Sequence, residues 1–383
     1  MFCSVFVLTC ALVTMHLLIV LPRRSPADRS APNSVDLCVR DLVAASRRGH
    51  EVCIVTDGAV GLFDPFPKER IHPSVAAHSI LMARHVAGLA RARKADLVVV
   101  HQQFQVAARL ARLLPGRVVF HAHGFFKKYP PGLLGSIRRR IRRRELARLA
   151  GLVHVSEACR AHFAESWPDV ALPQAVVHNG LDFTLWRPHH ERLREVICVG
   201  RCVPEKGILE AAEAVERVLA ERPKWRARFV LSEPGRKPEY ERRVREVLSQ
   251  PAIADRVAIE FSLPWERVRE RYERAAIALV PSRWREPFGR TALEAHAGGA
   301  ALISSGTGGL REVSGPFALF ADPEDTTGFA TALQRLIDDE SLRQQLAQGG
   351  ARYVRKRFSI AAVASTNDDF LDSLNAKLTW GRC

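Results

Sequence analysis

Two glutamates eight positions apart, Glu286 and Glu294, flank a Pro-Phe-Gly turn in the stretch SRWREPFGRTALEAHAGG, residues 282–299. Carboxylates accept hydrogen bonds from hydroxyls, while the backbone N–H groups of Phe288, Gly289 and Arg290, at the start of a helix, favour an anion. A ligand with hydroxyls at one end and phosphates at the other, a sugar nucleotide, needs both. A second set lies in VGRCVPEKGILEAAEAV: Gly200 closes a strand, Arg201 and Lys206 flank a short loop, and Gly207 precedes a helix. Two cations beside free backbone donors suit a diphosphate. Each residue alone has a plainer reading, as a solvated loop charge, a helix-surface charge or an Arg201–Glu205 pair. Their combination favours a ligand site.

The elements that must position these residues are strands and helices in alternation. Apolar runs at 15–21, 52–56, 96–100, 117–121, 152–155 and 174–178 read as buried strands with helical segments between them. After the polar, proline-containing NGLDFTLWRPHHERLRE the pattern restarts with VICVG, ARFVL, VAIEF, IALVP and AALIS. Such alternation predicts parallel sheets covered by helices on both faces. The expected fold class is α/β, two Rossmann-like domains facing across a cleft. The expected division is an N-terminal domain over 15–185 and a C-terminal domain over 186–383, largely helical from about 323, with its terminal helices able to pack back on the first domain. Strand-to-helix loops in such sheets lie at the carboxyl ends of the strands, where ligands bind, and both motifs fall in such loops.

Composition narrows the classes. The 383 residues, 47% hydrophobic and 26% charged, suit a globular protein with room for two cores. The net charge of +16 is uneven: residues 1–190 hold 26 Lys and Arg against 13 Asp and Glu, the remainder 31 against 28. A basic half fits nucleic acid, anionic membrane or an acidic acceptor. The eight cysteines show neither CxxC nor zinc-finger spacing and read as free thiols of a reducing compartment. The opening 22 residues, MFCSVFVLTCALVTMHLLIVLP, carry no Asp, Glu, Lys or Arg, yet MHLLIVLP reads as the first strand, so the folded part is expected to begin at Met15 and residues 1–14 to be a non-native or disordered extension.

GRCVPEKG, REPFGRTALEA, SSGTGGLREV and HNGLDFTLWRP, in that order and separation, resemble the retaining glycosyltransferases of family 4. The resemblance implies the two-domain GT-B fold, a nucleoside-diphosphate sugar held mainly by the second domain, an acceptor held by the first, and neither metal nor cofactor. Matched residue by residue, it gives the diphosphate to Arg201 and Lys206, the transferred sugar to Glu286 and the ribose hydroxyls to Glu294. Gly200, Phe288, Gly289, Arg290 and Thr291 would line the sugar and phosphate pocket. In the first domain VVFHAHG resembles the strand whose terminal histidine points into the cleft; His123 is taken as that residue, with His121 the competing choice. Two departures stand out: PRRSPADRSAPNSVD has no glycine where the family carries a glycine-rich loop, and LSEPGRKPE replaces the usual turn near the base. APNSVDLCVRDLVAASRRGHEV looks most like enzymes of bacterial lipopolysaccharide core or other envelope polysaccharide, which implies a glycan or glycolipid acceptor.

Three other readings compete. A sugar-nucleotide epimerase of the same fold would share the donor site and is the alternative function. A dinucleotide oxidoreductase lacks its GxGxxG signature here, and a nucleic-acid-binding protein is disfavoured by only 7% aromatics and no recognised binding module. The basic charge has a different outlet. In LLGSIRRRIRRRELARL, residues 133–149, a narrow stripe of Leu133, Leu134, Ile137 and Ile141 is surrounded by Arg138, Arg139, Arg140, Arg142, Arg143 and Arg144. That pattern predicts docking on an anionic membrane, the cytoplasmic face of an inner membrane; the plainer reading is an ordinary domain helix that buries its stripe against the sheet, and the two are compatible if the stripe packs inward and some arginines face lipid.

Overall fold

The computed structural model of the protein describes residues 15–23, 25, 33–47, 51–58, 61–232 and 234–380. The expected extension at 1–14 and most of the glycine-free loop after the first strand lie outside them.

The apolar runs form two parallel sheets. The first holds β1 (His16–Val20), β2 (Glu51–Thr56), β3 (Lys68–Arg70), β4 (Leu97–His101), β5 (Val118–Ala122), β6 (Gly151–His154) and β7 (Gln174–Val176), in the order β3-β2-β1-β4-β5-β6-β7. The second holds β8 (Leu193–Arg201), β9 (Arg226–Ser232), β10 (Val257–Phe261), β11 (Ala275–Val280), β12 (Ala301–Ser304) and β13 (Ala318–Phe320), in the order β10-β9-β8-β11-β12-β13. β-branched side chains suit these strands because both faces are covered; β4 and β5 are buried at every position.

Both sheets reverse their winding once, between β1 and β4 and between β8 and β11. At such a switch point the flanking helices diverge to opposite faces and leave a crevice at the strand ends. Arg201 ends β8, and Ser282 to Glu286 follow β11, so the cationic loop and the first glutamate share one crevice. In the first sheet the corresponding strand β4 ends in His101.

Side-chain caps set several helix starts. Asn33 accepts from Val35 N and Asp36 N, each at 2.9 Å, to open the helix Ser34–Ala44. Ser156 accepts from Cys159 N at 3.0 Å to open Glu157–Ser166, and such a cap contributes about 1 kcal/mol. The helices Thr326–Asp338 and Glu340–Arg357 pack on the second sheet. The helix Ile360–Trp380 crosses to the first: Val363, Leu371 and Leu374 join Leu17, Ile19, Leu97 and Val99 in one core. Asp368 fixes its approach by accepting from Ser46 Oγ and Arg47 N, both at 2.9 Å. The five described cysteines, Cys38, Cys53, Cys159, Cys198 and Cys202, are free and buried.

Candidate active site

In the second domain the candidate site is assembled by two strand-end loops. Gly207 has φ 67° and carries no Cβ because one would lie 2.0 Å from Pro281 O, so the loop after β8 presses directly on the end of β11. This contact brings Lys206 to Glu286: Nζ lies 2.5 Å from Oε1, which also accepts from Ser282 Oγ at 2.6 Å. Glu286 is 6% exposed. Its backbone carbonyl accepts from Gly309 N at 2.8 Å, and at Gly308 a Cβ would meet that carbonyl at 2.1 Å. The TGG turn of SSGTGGLREV is thereby clamped under the glutamate. A lysine, a serine hydroxyl and a carboxylate in one buried chain form a charge-assisted network that fixes each partner.

Gly289, with φ 109°, precedes the helix Arg290–Ala297 and leaves room for Leu310, whose Cδ2 would sit 2.4 Å from a Cβ. Glu294, also 6% exposed, accepts from Arg290 Nε at 2.8 Å. Arg290 then reaches across to the first domain, its Nη1 lying 3.1 Å from Cys38 Sγ, while Nη2 is buried without a protein partner. Burial holds the Cys38 thiol above its ordinary pKa, against the opposing pull of Arg290, so Cys38 is a neutral neighbour rather than a thiolate.

The structure therefore brings Lys206 to Glu286 and Arg290 to Glu294. Arg201 and Gly200 stand half-buried at the end of β8, and no side-chain bond of Arg201 occurs among the described residues. Lys206 is not a solvated charge, and Arg201 does not pair with Glu205, which is exposed. Phe288 is 2% exposed, its ring packing 5.6 Å from Phe358 and 5.9 Å from His178. Thr291 is half-buried in the first turn of the helix. Trp284, 40% exposed, sits 5.5 Å from Lys206 Nζ and closes the loop's outer side.

In the first domain the sheet places histidines together. His121 lies within β5 in register with His101 of β4, and His123 follows the strand end. His101 Nδ1 and His123 Nε2 are 2.9 Å apart. Burial pulls the pKa of His123 down to about 4, and burial with neighbouring imidazoles holds His101 and His121 well below the usual value. All three are neutral at pH 7. His123 N donates to Gln102 Oε1 at 2.9 Å, and Gln102 adopts a left-handed φ of 61°. His101, Gln102, Ser282 and Cys38 carry no motif of their own; the one sequence signal is a polar residue closing an otherwise apolar strand, as in LVVVHQQ.

Further contacts join the domains around this site. Ser156 Oγ donates to Pro287 O at 2.5 Å, Arg285 Nη1 is 3.0 Å from His162 Nδ1, and Glu312 accepts from Glu157 N at 2.9 Å and lies 2.6 Å from His178 Nε2. The turn that carries Glu286 is thus held from both sides.

The basic helix Leu133–Leu146 turns its aliphatic stripe outward, against the plainer reading of a stripe buried on the sheet. Leu133 is 79% exposed and Leu134 70%, with Ile137 and Ile141 at 48% each. The inward face is Gly135, Arg142 and Leu146: Arg142 lies 3.9 Å over the Phe104 ring and donates to Tyr129 Oη at 3.2 Å. Phe104, Phe120 and Phe126 make an edge-to-face cluster beneath it, which offers a guanidinium a π-face that an aliphatic stripe would not use. Arg142 is consequently removed from the surface set, while Arg138, Arg139, Arg140, Arg143 and Arg144 remain exposed.

Comparison with known proteins agrees with this geometry. Residues 187–353 match the family described as glycosyl transferases group 1, and residues 38–185 match Glycosyltransferase Family 4. A glycogen synthase of Mycobacterium tuberculosis is 27% identical over 70% of this chain and 73% of its own length. A D-inositol 3-phosphate glycosyltransferase of Corynebacterium efficiens is 29% identical over 55% of this chain and 52% of its own. Among solved structures, the sucrose-phosphate synthase of Thermosynechococcus elongatus superposes with a TM-score of 0.76 at 21% identity, over 94% of this chain and 100% of that one. HepE of Anabaena in complex with UDP gives 0.75 at 18%, over 94% and 100%. These likenesses establish the fold as two Rossmann-like domains of the GT-B type.

Proposed function

The chain belongs to the group 1 glycosyl transferases, with both of its domains matched, and on that premise we propose that it moves a sugar from a nucleoside-diphosphate sugar to an envelope glycan or lipid-linked acceptor with retention of configuration. The observation that carries this reading is the buried Lys206–Glu286–Ser282 network at the switch point of the second sheet. Lys206 and Arg201 hold the diphosphate, with the helix start at Gly289 and Arg290 presenting further donors. Glu286 exchanges part of its bond to Lys206 for the hydroxyls of the transferred sugar. Glu294, steadied by Arg290, accepts from the ribose.

Transfer breaks the bond between the anomeric carbon and the diphosphate oxygen and forms one to the acceptor oxygen on the same face. The acceptor proton passes to the departing phosphate. The charge that grows on the diphosphate is met by cations already in place, a preorganised contribution of about 3 kcal/mol for one such donor. The transfer step asks for no metal, because Arg201 and Lys206 do that neutralisation. His123, held neutral, donates or accepts a hydrogen bond to the sugar without adding charge near the anomeric carbon.

The acceptor half explains the basic excess. Leu133, Leu134, Ile137 and Ile141 stand outward among Arg138, Arg139, Arg140, Arg143 and Arg144, which suits shallow insertion of the aliphatic side chains with the guanidinium groups at anionic headgroups. No described helix is long and apolar enough to cross a membrane. The protein works peripherally at the cytoplasmic face, where a lipid-linked acceptor meets the cleft. The deciding experiment is a screen of mass-tagged UDP-, GDP- and ADP-sugars for hydrolysis and for transfer to extracted envelope glycolipids. Release of the nucleoside diphosphate from one donor class supports the reading. Epimerised donor without release would move the assignment to an epimerase.

A further inference from the structure

A cavity of about 180 Å³ lies at the carboxyl end of the first sheet, between the segments that follow β4 and β5 and the inner face of the basic helix. The chain is poor in aromatics, 7%, yet Phe104, Phe120, Phe125, Phe126, Tyr129 and Trp167 all line this one space. Phe104, Phe120 and Phe126 lock edge to face at 5.3–5.9 Å, and Tyr129 meets Trp167 in the same manner at 6.0 Å, so the walls are held in place by one another. The cavity that touches His123 is by contrast about 10 Å³, room for at most one water. A sugar does not fit among the histidines as they stand, whereas the aromatic cavity has the space.

The two cavities are joined through Gln102 and Gly124, which line the aromatic one and flank His123. The Gln102 carboxamide oxygen accepts from His123 N at 2.9 Å. Its amide nitrogen, 3.8 Å from where a Cβ on Gly124 would stand, has no bond among the described residues. On the other side Arg285, the residue before Glu286, lies 4.5 Å over the Phe125 ring, so one wall of the cavity touches the loop of the second domain. The lining holds no carboxylate. Arg142 shares its charge with Glu145 at 3.5 Å, but Lys127 is exposed and forms no ion pair among the described residues.

We propose, on the premise that the chain transfers glycosyl groups, that this cavity receives the acceptor as an anionic sugar. The ring lies on the aromatic walls, its hydroxyls meet Gln102 and Tyr129, and its phosphate or carboxylate meets Lys127. Sugar rings present apolar C–H faces rimmed by hydroxyls, and rigid aromatic walls with a few polar groups at fixed points match both parts. An alkyl chain would fill the walls but leave the Gln102 amide desolvated and unpaired.

Saturation-transfer nuclear magnetic resonance on the full chain, with no donor present, tests this with glucose 6-phosphate, glucuronate, methyl glucoside and octyl glucoside as probes. An anionic sugar should bind about threefold to fivefold more tightly than methyl glucoside, the range of an exposed ion pair, and Lys127→Gln should erase that preference. The stronger of the two anions assigns the charged substituent. Gly124→Leu, which places a side chain beside the Gln102 amide, should abolish the signal, and saturating UDP or GDP should leave it in place. Displacement by either nucleotide would put the sugar at the diphosphate site and overturn the inference while leaving the transferase reading intact; that reading fails separately, through absence of nucleoside-diphosphate release in the donor screen. No saturation of either anion in the wild-type protein, which needs no variant to fold, would overturn the inference, as would saturation confined to the octyl chain of octyl glucoside.

Discussion

The two halves of the molecule share one strand order but handle charge in opposite ways. In the second domain four of the candidate charges are paired in a largely buried crevice, Lys206 with Glu286 and Arg290 with Glu294, and Arg201 stands half-buried beside them. In the first domain the basic helix shows five of its six clustered arginines to solvent, together with four large aliphatic side chains. Paired charge in a low-dielectric crevice gives fixed geometry and is insensitive to salt, whereas exposed charge gives long-range attraction that salt screens. Under the proposed function the difference matches two ligands: a small donor that must be oriented to a fraction of an ångström, and a surface that must only be approached.

The largest effect expected is at the buried pair. Lys206→Gln should lower turnover about a hundredfold or more, corresponding to roughly 3 kcal/mol of lost leaving-group stabilisation, measured as kcat on the donor found in the screen. Thermal melting is the control, since Glu286 loses its cation and retains Ser282. A turnover within a factor of three of wild type would dissolve the contrast between the halves.

Next comes the basic helix. Changing Arg139, Arg140 and Arg143 together to glutamine removes about 1 kcal/mol each near an anionic leaflet, hence about a hundredfold in partitioning. Co-sedimentation with phosphatidylserine vesicles reads this, and donor hydrolysis in solution should stay within twofold. Wild-type binding should fall steeply between low and physiological salt. Equal binding to neutral vesicles would contradict the surface reading.

Acid sharpens the comparison because both domains bury a neutral histidine. Burial lowers His154 and His296 to about 4. In the unfolded chain each takes up a proton near pH 6.5, while the fold resists it until near pH 4. Stability therefore falls as pH drops through that window, by about 1.4 kcal/mol per pH unit for each histidine, and levels off below it. Urea unfolding at pH 7, 6 and 5 measures the slope, and His296→Asn should flatten it. A slope of opposite sign would show that these imidazoles are charged in the fold.

The smallest effect belongs to the contacts between the halves. Arg285 lies over Phe125 at 4.5 Å and touches His162, but it is exposed, so Arg285→Ala should cost about 0.5–1 kcal/mol and change KM for the donor by less than threefold.

Much of this arrangement was legible in the sequence because burial on both faces makes parallel strands read as apolar runs. VAIEF became β10 with its ends unchanged. What escaped was short or polar. β3 is Lys-Glu-Arg, and β13 is a three-residue sheet edge. β8 begins three residues before its apolar run because Glu195 enters the ladder on a bidentate bond to Arg228, at 3.1 and 3.0 Å. A helical wheel gave the stripe of the basic helix but not its direction, which depends on the aromatic cluster that Arg142 covers. The motifs gave Lys206 and Glu286 separately; that these two residues, 80 positions apart, touch depends on Gly207 fitting against Pro281. His101 was silent because only its register with His121 gives it neighbours.

The most direct measurement of the central claim is nuclear magnetic resonance of the complete reaction, following the anomeric proton of the sugar from donor to product. The account predicts one nucleoside diphosphate released per glycoside formed, with the product keeping the anomeric configuration of the donor, and loss of both signals in Lys206→Gln. A glycoside of inverted configuration, or a sugar nucleotide that epimerises without releasing its diphosphate, would contradict it.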